Sequence, residues 1–117
     1  MPETDQALRI WLDDIRPCPR DFDLRCTTAA ELIAVLERGC SREIRVAYVS
    51  LDHHLGSGGT GMQVAQWIAN EANRRRLPKF GWEVHTDNAV MKAAMEFVLF
   101  GADRAWLHGE PLDRAGK

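Results

Sequence analysis

Val46-Ala-Tyr-Val-Ser-Leu-Asp-His-His-Leu-Gly-Ser-Gly-Gly-Thr-Gly61 is the stretch that decides how this chain folds. Its apolar, β-branched start predicts a buried strand over 44–51. At Asp52, His53 and His54 it turns acidic and imidazole-bearing, then passes into a glycine-rich loop. Thr60 opens an amphipathic helix in which Met62, Val64, Ala65, Trp67 and Ile68 recur at spacings of three and four. Open α/β sheets build their sites this way, in the crevice beyond the carboxyl ends of the strands.

Upstream, Leu8, Ile10 and Leu12 alternate as one face of a strand that runs straight into Asp13-Asp14. Two prolines in Ile15-Arg-Pro-Cys-Pro19 remove amide donors and push their predecessors to extended forms, so this is a stiff loop carrying Arg16. A second short strand is expected over 22–26. Thr28 and Glu31 form a capping box ahead of Leu32, Ile33, Val35 and Leu36, with Gly39 as the stop. Downstream, the helix from Thr60 runs out in Arg74-Arg75-Arg76, where cations suit a helix C-terminus. A fourth strand is expected over 81–85. Thr86-Asp87-Asn88 then caps a helix burying Met91, Met95, Val98 and Leu99 and stopping near Gly101. A last short strand is expected over 104–108, and flexible tails over 1–7 and about 110–117.

Strands alternating with helices predict an α/β protein with a mostly parallel sheet of four or five strands, wound with helices on both faces. The link between the first two strands is the exception, a proline-containing loop where a crossover helix would stand. At 117 residues the chain is expected to be one domain, 1–117. A net charge of −2 gives no footprint for duplex DNA. No apolar run is long enough to span a membrane, and no signal-peptide pattern is present, so the cytoplasm is the expected location. Cys18, Cys26 and Cys40 lack metal-type spacing and read as reduced, inert thiols.

In a parallel sheet all carboxyl ends share one rim. Here those ends carry Asp13 and Asp14; Asp52, His53 and His54; and His85, Thr86, Asp87 and Asn88. Ionised carboxylates within about 4–6 Å of one another must take up a proton or a cation. Oxygen donors suit Mg²⁺ or Mn²⁺, although a turn role explains each Asp equally simply. His53 and His54, being adjacent, point to opposite sides of an extended backbone. His53 and His85 are the pair expected to act as base and acid on one phosphate. The 55–61 loop is neither a P-loop nor a dinucleotide fingerprint. Its amides and the following helix N-terminus suit an anion, or else the loop is a linker that Thr60 caps. Arg16 is a candidate phosphate clamp. The tryptophans at 11, 67, 82 and 106 are expected in the core rather than as stacking platforms, although Trp82 or Trp106, near the edge, could contact a base.

The order Trp11-Leu-Asp-Asp-Ile-Arg-Pro17, Ser50-Leu-Asp-His-His-Leu-Gly56, Thr60-Gly61 and His85-Thr-Asp-Asn88 resembles the cyclic-phosphate-processing receiver domain family. These are small relatives of the response-regulator receiver domain. The resemblance, over roughly 8–100, implies a flavodoxin/receiver-like three-layer sandwich and a role in processing cyclic phosphates. It makes Asp13 and Asp14 the acid pair that holds a divalent cation, and Asp52 the receiver's phospho-accepting aspartate. Thr86 becomes the hydroxyl residue after the fourth strand, and Asn88 the family's asparagine. His53 and His85 match histidines that ordinary receivers lack. His54 stands where the family has Asp, no proline follows Asn88-Ala-Val, and none of Lys79, Lys92 and Lys117 follows a fifth strand as a receiver's lysine does.

The expectation is a phosphoesterase-like domain acting on a cyclic phosphate, a nucleotide or an RNA 2′,3′-cyclic end. Asp52, His53 and His85 would be catalytic, and Asp13, Asp14 and Asp52 would hold Mg²⁺ or Mn²⁺. Arg16, Thr86, Asn88 and Gly61 would hold the phosphate. The partner is then a phosphate-containing small molecule or RNA end, not duplex DNA or a membrane, with a protein partner left open. The alternatives are a signalling module phosphorylated on Asp52 and a non-catalytic ligand-sensing domain of the same fold.

Overall fold

The computed structural model describes residues 6–108. In chain order these form β1 (Ala7–Leu12), β2 (Leu24–Cys26), α1 (Ala29–Cys40), β3 (Arg45–Leu51), a 3₁₀ turn (Gly56–Gly58), α2 (Gly61–Asn73), β4 (Gly81–Val84) and α3 (Ala89–His108). Of the expected tails, 110–117 and all of 1–7 but its last two residues lie outside the described part; Ala7 already opens β1.

The four strands form one sheet in the order β2-β1-β3-β4, every pair parallel. This is the expected receiver-like, flavodoxin-type α/β fold. Ile10, Leu12, Val49, Leu51 and Val84 point to one face, where they share a single core with Leu32 and Leu36 of α1, Val64 and Ile68 of α2, and Met95 and Leu99 of α3. Handedness explains why the two crossover helices, α1 and α2, lie there, and α3 joins them by packing on α2. The steps β2→β3 and β3→β4 advance in one direction across the sheet, and right-handed connections that advance the same way share a face.

Only the β1→β2 step runs the other way, and it is the proline loop. The second face, expected to carry helices too, is therefore covered by residues 13–23. Phe22 of that loop sits edge-on to Trp11 at 5.3 Å, and the Arg9 guanidinium stacks over both Phe22 and Tyr48.

Both capping boxes form: Thr28 with Glu31 at α1, and Thr60 with Gln63 at α2. Two sequence expectations need correction. Gly39 does not stop α1 but is buried inside it; the chain leaves the helix through Ser41, and Arg42 takes the left-handed φ of 68°. Residues 104–108 are not a strand, and α3 does not stop at Gly101. Met95, Leu99, Ala102 and Trp106 keep the helical spacing through the glycine. The indole N–H of Trp106 donates to the Leu77 carbonyl at 2.8 Å and anchors the last turn. One interior glycine costs about 1 kcal/mol, too little to outweigh that burial. Among the described residues the sheet has no fifth strand.

All three cysteines are free thiols, and burial pushes Cys26 up to about 11, so it stays protonated at neutral pH. No helix among the described residues is long and apolar enough to cross a membrane.

Gly61 has the least room of the glycines near the rim. A Cβ there would lie 1.8 Å from the Asp52 carbonyl oxygen, which is backbone and cannot turn aside. Gly61→Ala is expected to destabilise the protein by more than about 4 kcal/mol in chemical denaturation. Arg75, just past the end of α2 with φ 61°, gives the opposite expectation. Arg75→Gly should raise stability by about 0.5–1 kcal/mol in the same measurement.

Candidate functional site

The backbone sets the site. Each key residue follows its strand immediately and makes one further rung of the ladder. The Asp13 N–H donates to the Cys26 carbonyl at 3.0 Å, the Asp52 N–H to Leu12 at 3.0 Å, and the His85 N–H to Leu51 at 2.8 Å. Three side chains from positions 13, 52 and 85 are thereby held side by side at the carboxyl rim. Asp13, Asp52 and His85 each present a ligand atom within 4.8 Å of the others.

Asp13 is fully buried and fully engaged. Its Oδ1 accepts from the N–H groups of Ile15 and Arg16, both at 2.9 Å, an Asx-type turn that starts the proline loop. Its Oδ2 accepts from the Arg16 guanidinium at 3.1 Å and faces His85 Nε2 at 2.9 Å. Burial pushes the Asp13 carboxyl up, but the two backbone donors, His85 and Arg16 outweigh it, and the net direction is down.

Behind His85 runs a relay. Its Nδ1 lies 2.7 Å from Ser50 Oγ, and Ser50 Oγ donates to Glu83 Oε2 at 2.6 Å. Asp13 and Ser50 thus grip the ring from its two nitrogens and fix its orientation. Trp11 stacks on the ring at 3.8 Å with planes 5° apart and closes one of its faces.

Arg16 is less a free clamp than a bridge. Its guanidinium lies 3.1 Å from Asp13, 3.6 Å from Asp52 and 2.8 Å from Asp87, tying the ends of β1, β3 and β4 together. Those carboxylates hold its own proton more firmly than usual, Asp13 first.

The other expected residues fall around this cluster. Asp14 points toward the glycine loop: its Oδ2 would lie 3.1 Å from a Cβ on Gly56, and its Oδ1 is buried without a hydrogen-bond partner. Asp52 is buried, and its Oδ1 accepts from the His53 N–H at 2.8 Å. The His53 imidazole is half-buried and makes no hydrogen bond, while His54 is exposed and bridges to Thr60 through its backbone. Thr86 is half-buried and accepts from the Asn88 N–H. Asn88 caps α3, its Oδ1 accepting from the Met91 N–H at 3.0 Å.

The glycine loop is not the anion cradle expected of it. The amides of Leu55, Gly58 and Gly61 donate to carbonyls of the same turn, and that of Thr60 to Gln63. Gly61, expected to hold phosphate, instead provides the space into which Asp52 packs. Trp106 is buried in the core and Trp82 packs against it, as expected, their indole N–H groups bonding to the Leu77 carbonyl and to Asp103.

Sequence reasoning missed Ser50 and Glu83; it set Asp87 at the rim without its bond to Arg16, and Trp11 is buried as expected. Strand period was the available signal for the first two. Ser50 lies two residues before Asp52, and Glu83 two before His85, so each shares a sheet face with its rim residue.

The model of the cyclic-phosphate processing receiver domain matches residues 8–100, and the chain belongs to that family. No curated protein and no solved structure matches it. The family's name associates this receiver-like domain with cyclic-phosphate processing.

Asp13 predicts an acid response in metal-free buffer. Its folded pKa is depressed, so its contribution is complete above the unfolded value near 4 and is lost as pH falls through the folded one. Denaturation midpoints measured across pH 2–7 should fall on the acid side. Asp13→Asn should flatten that slope and cost about 3 kcal/mol at pH 7.

Proposed function

We propose that the domain opens a 2′,3′-cyclic phosphate, on a nucleotide or an RNA end, to a phosphomonoester. The observation that carries this reading is the hydrogen-bonded row Asp13–His85–Ser50–Glu83 meeting Asp52 at the rim. An imidazole held at the rim by Asp13 and Ser50 is placed to hand over a proton, and opening a cyclic phosphate needs an acid. Water adds to phosphorus and a P–O bond to ribose breaks. The water's proton passes to a base, and the ribose oxygen takes a proton from the acid. His85 is assigned as the acid. His53, whose ring nitrogens have no hydrogen-bond partner among the described residues, is assigned as the base. Positioned acid–base catalysis of this type contributes about 10²–10⁴-fold.

The donor set fits a divalent cation. Asp13 and Asp52 offer two carboxylates, and Asp14 adds a buried oxygen with no partner among the described residues, which leaves His85 to its acid role. Carboxylate oxygens suit Mg²⁺ or Mn²⁺. Held there, such an ion would neutralise charge on the phosphoryl oxygens. Arg16 holds the same carboxylates together and presents a guanidinium toward an incoming phosphate. Thr86 and the Asn88 amide line the approach from β4.

The test is turnover of 2′,3′-cyclic nucleotides, with Mg²⁺, Mn²⁺ or chelator, followed by phosphorus NMR. Monoester formation is expected, falling about 10²–10⁴-fold in His85→Gln. Failure of every cyclic phosphate to bind or open would overturn the reading.

A second reading rests on Asp52, a buried carboxylate with the Arg16 guanidinium 3.6 Å away. In a signalling receiver this aspartate would accept a phosphoryl group, with Arg16 in the charge-stabilising role that lysine takes elsewhere. Treatment with an acyl-phosphate donor and intact-mass measurement separates the two. Hydrolysis predicts no lasting mass increase, whereas a phosphoryl adduct that Asp52→Asn abolishes would favour signalling.

A further inference from the structure

Helix α3 is apolar on two sides. Its inner side, Met95, Leu99, Ala102 and Trp106, belongs to the core. Its outer side bears Val90, Phe97, Phe100 and Leu107, with 78%, 74%, 52% and 81% of their surface exposed. Together with exposed Ala93 and Arg104, these occupy 90, 93, 97, 100, 104 and 107. That alternation of three and four, held along the helix, is the a/d seam of a two-stranded coiled coil. The neighbouring helices lack it: α1 turns Glu37 and Arg38 outward, and α2 turns Gln66, Asn70 and Asn73 outward.

We propose that α3 is a self-association surface on which two copies pair their helices antiparallel about a two-fold axis. Charge selects this direction. In a parallel, in-register pair, Arg104 would meet its own counterpart within the seam, a like-charge contact in a drying interface. Antiparallel pairing centred between Phe97 and Phe100 sets Val90 against the partner's Leu107 and Phe97 against the partner's Phe100. Arg104 then lies over the partner's Ala93, whose small side chain leaves room for the arginine stem. Glu96, one turn from Ala93, supplies a carboxylate for the guanidinium. The contact is isologous and closed, as a two-fold dimer requires.

The area sets the strength. Two phenylalanines, a valine and a leucine exposed to this degree cover on the order of 500 Å² per copy. A standard stable interface takes about 800 Å² from each partner, so the dimer exchanges with monomer in the micromolar range. The antiparallel arrangement brings the end of one α3 beside Val90 of the other, two residues from Asn88 at the rim. The inference is independent of the reaction assigned to that rim.

Sedimentation of the full chain from about 1 µM to about 1 mM tests association. A reversible monomer–dimer equilibrium is expected. Phe97→Lys should abolish it while leaving the circular dichroism and melting temperature unchanged, because the side chain lies outside the core. Orientation is read by oxidation: Val90→Cys with Leu107→Cys in one chain should give a covalent dimer, and neither single variant should. A wild-type monomer at about 1 mM would overturn the proposal, whether a partner of another kind or the 109–117 segment covers the seam. So would a dimer that survives Phe97→Lys, or efficient cross-linking by Val90→Cys alone.

Discussion

Three backbone hydrogen bonds hold this molecule's chemistry in place. Asp13 to Cys26, Asp52 to Leu12 and His85 to Leu51 each extend the ladder one residue past a strand. A strand end is normally where backbone order is lost; here it is where the ionisable residues stand. The geometry therefore inherits the rigidity of a sheet whose inner positions, Ile10, Leu12, Val49 and Leu51, are fully buried. A cluster containing two buried aspartates would otherwise push itself apart. Arg16 supplies the compensating charge, within 4 Å of Asp13, Asp52 and Asp87.

Most of the fold could be read from the chain because local signals agreed with the tertiary result. Thr28 with Glu31 announced α1, the Val46–Leu51 run announced β3, and the prolines at 17 and 19 announced a connection without a helix. The errors came where a local rule met a tertiary contact. Gly39 and Gly101 looked like helix ends, yet burial on both sides of each kept the helix going. The region after Gly101 looked like a fifth strand because Trp and Leu are tolerated in both states, and only the docking of Trp106 onto Leu77 decides.

The rim was readable in outline for the same topological reason: carboxyl ends of parallel strands must meet. What could not be read was which atoms meet. Nothing in the sequence shows that Asp14 turns toward the glycine loop while Asp13 turns inward, because that choice is made by the amides of Ile15 and Arg16. The loop allowed two readings, an anion cradle or a linker that Thr60 caps, and the cap forms. A run of glycines suggests free amides, yet most of those amides close the turn, and Gly61 is small because a carbonyl oxygen occupies the volume of a methyl group. Ser50 and Glu83 escaped notice because they matter only through what they support, and one of them is wholly hidden from solvent.

The absence of a helix between β1 and β2 has one more consequence. A helix there would seal its face of the sheet with hydrocarbon and leave Tyr48, Ser50 and Glu83 no aqueous neighbour. A loop of thirteen-odd to twenty-odd numbering, pinned by Phe22 yet open beside Glu83, leaves the far end of the histidine's hydrogen-bonded row in contact with bulk water. The sheet is thus wetted on its helix-free face, and a row of side chains that starts at the rim runs along that face and ends in solvent.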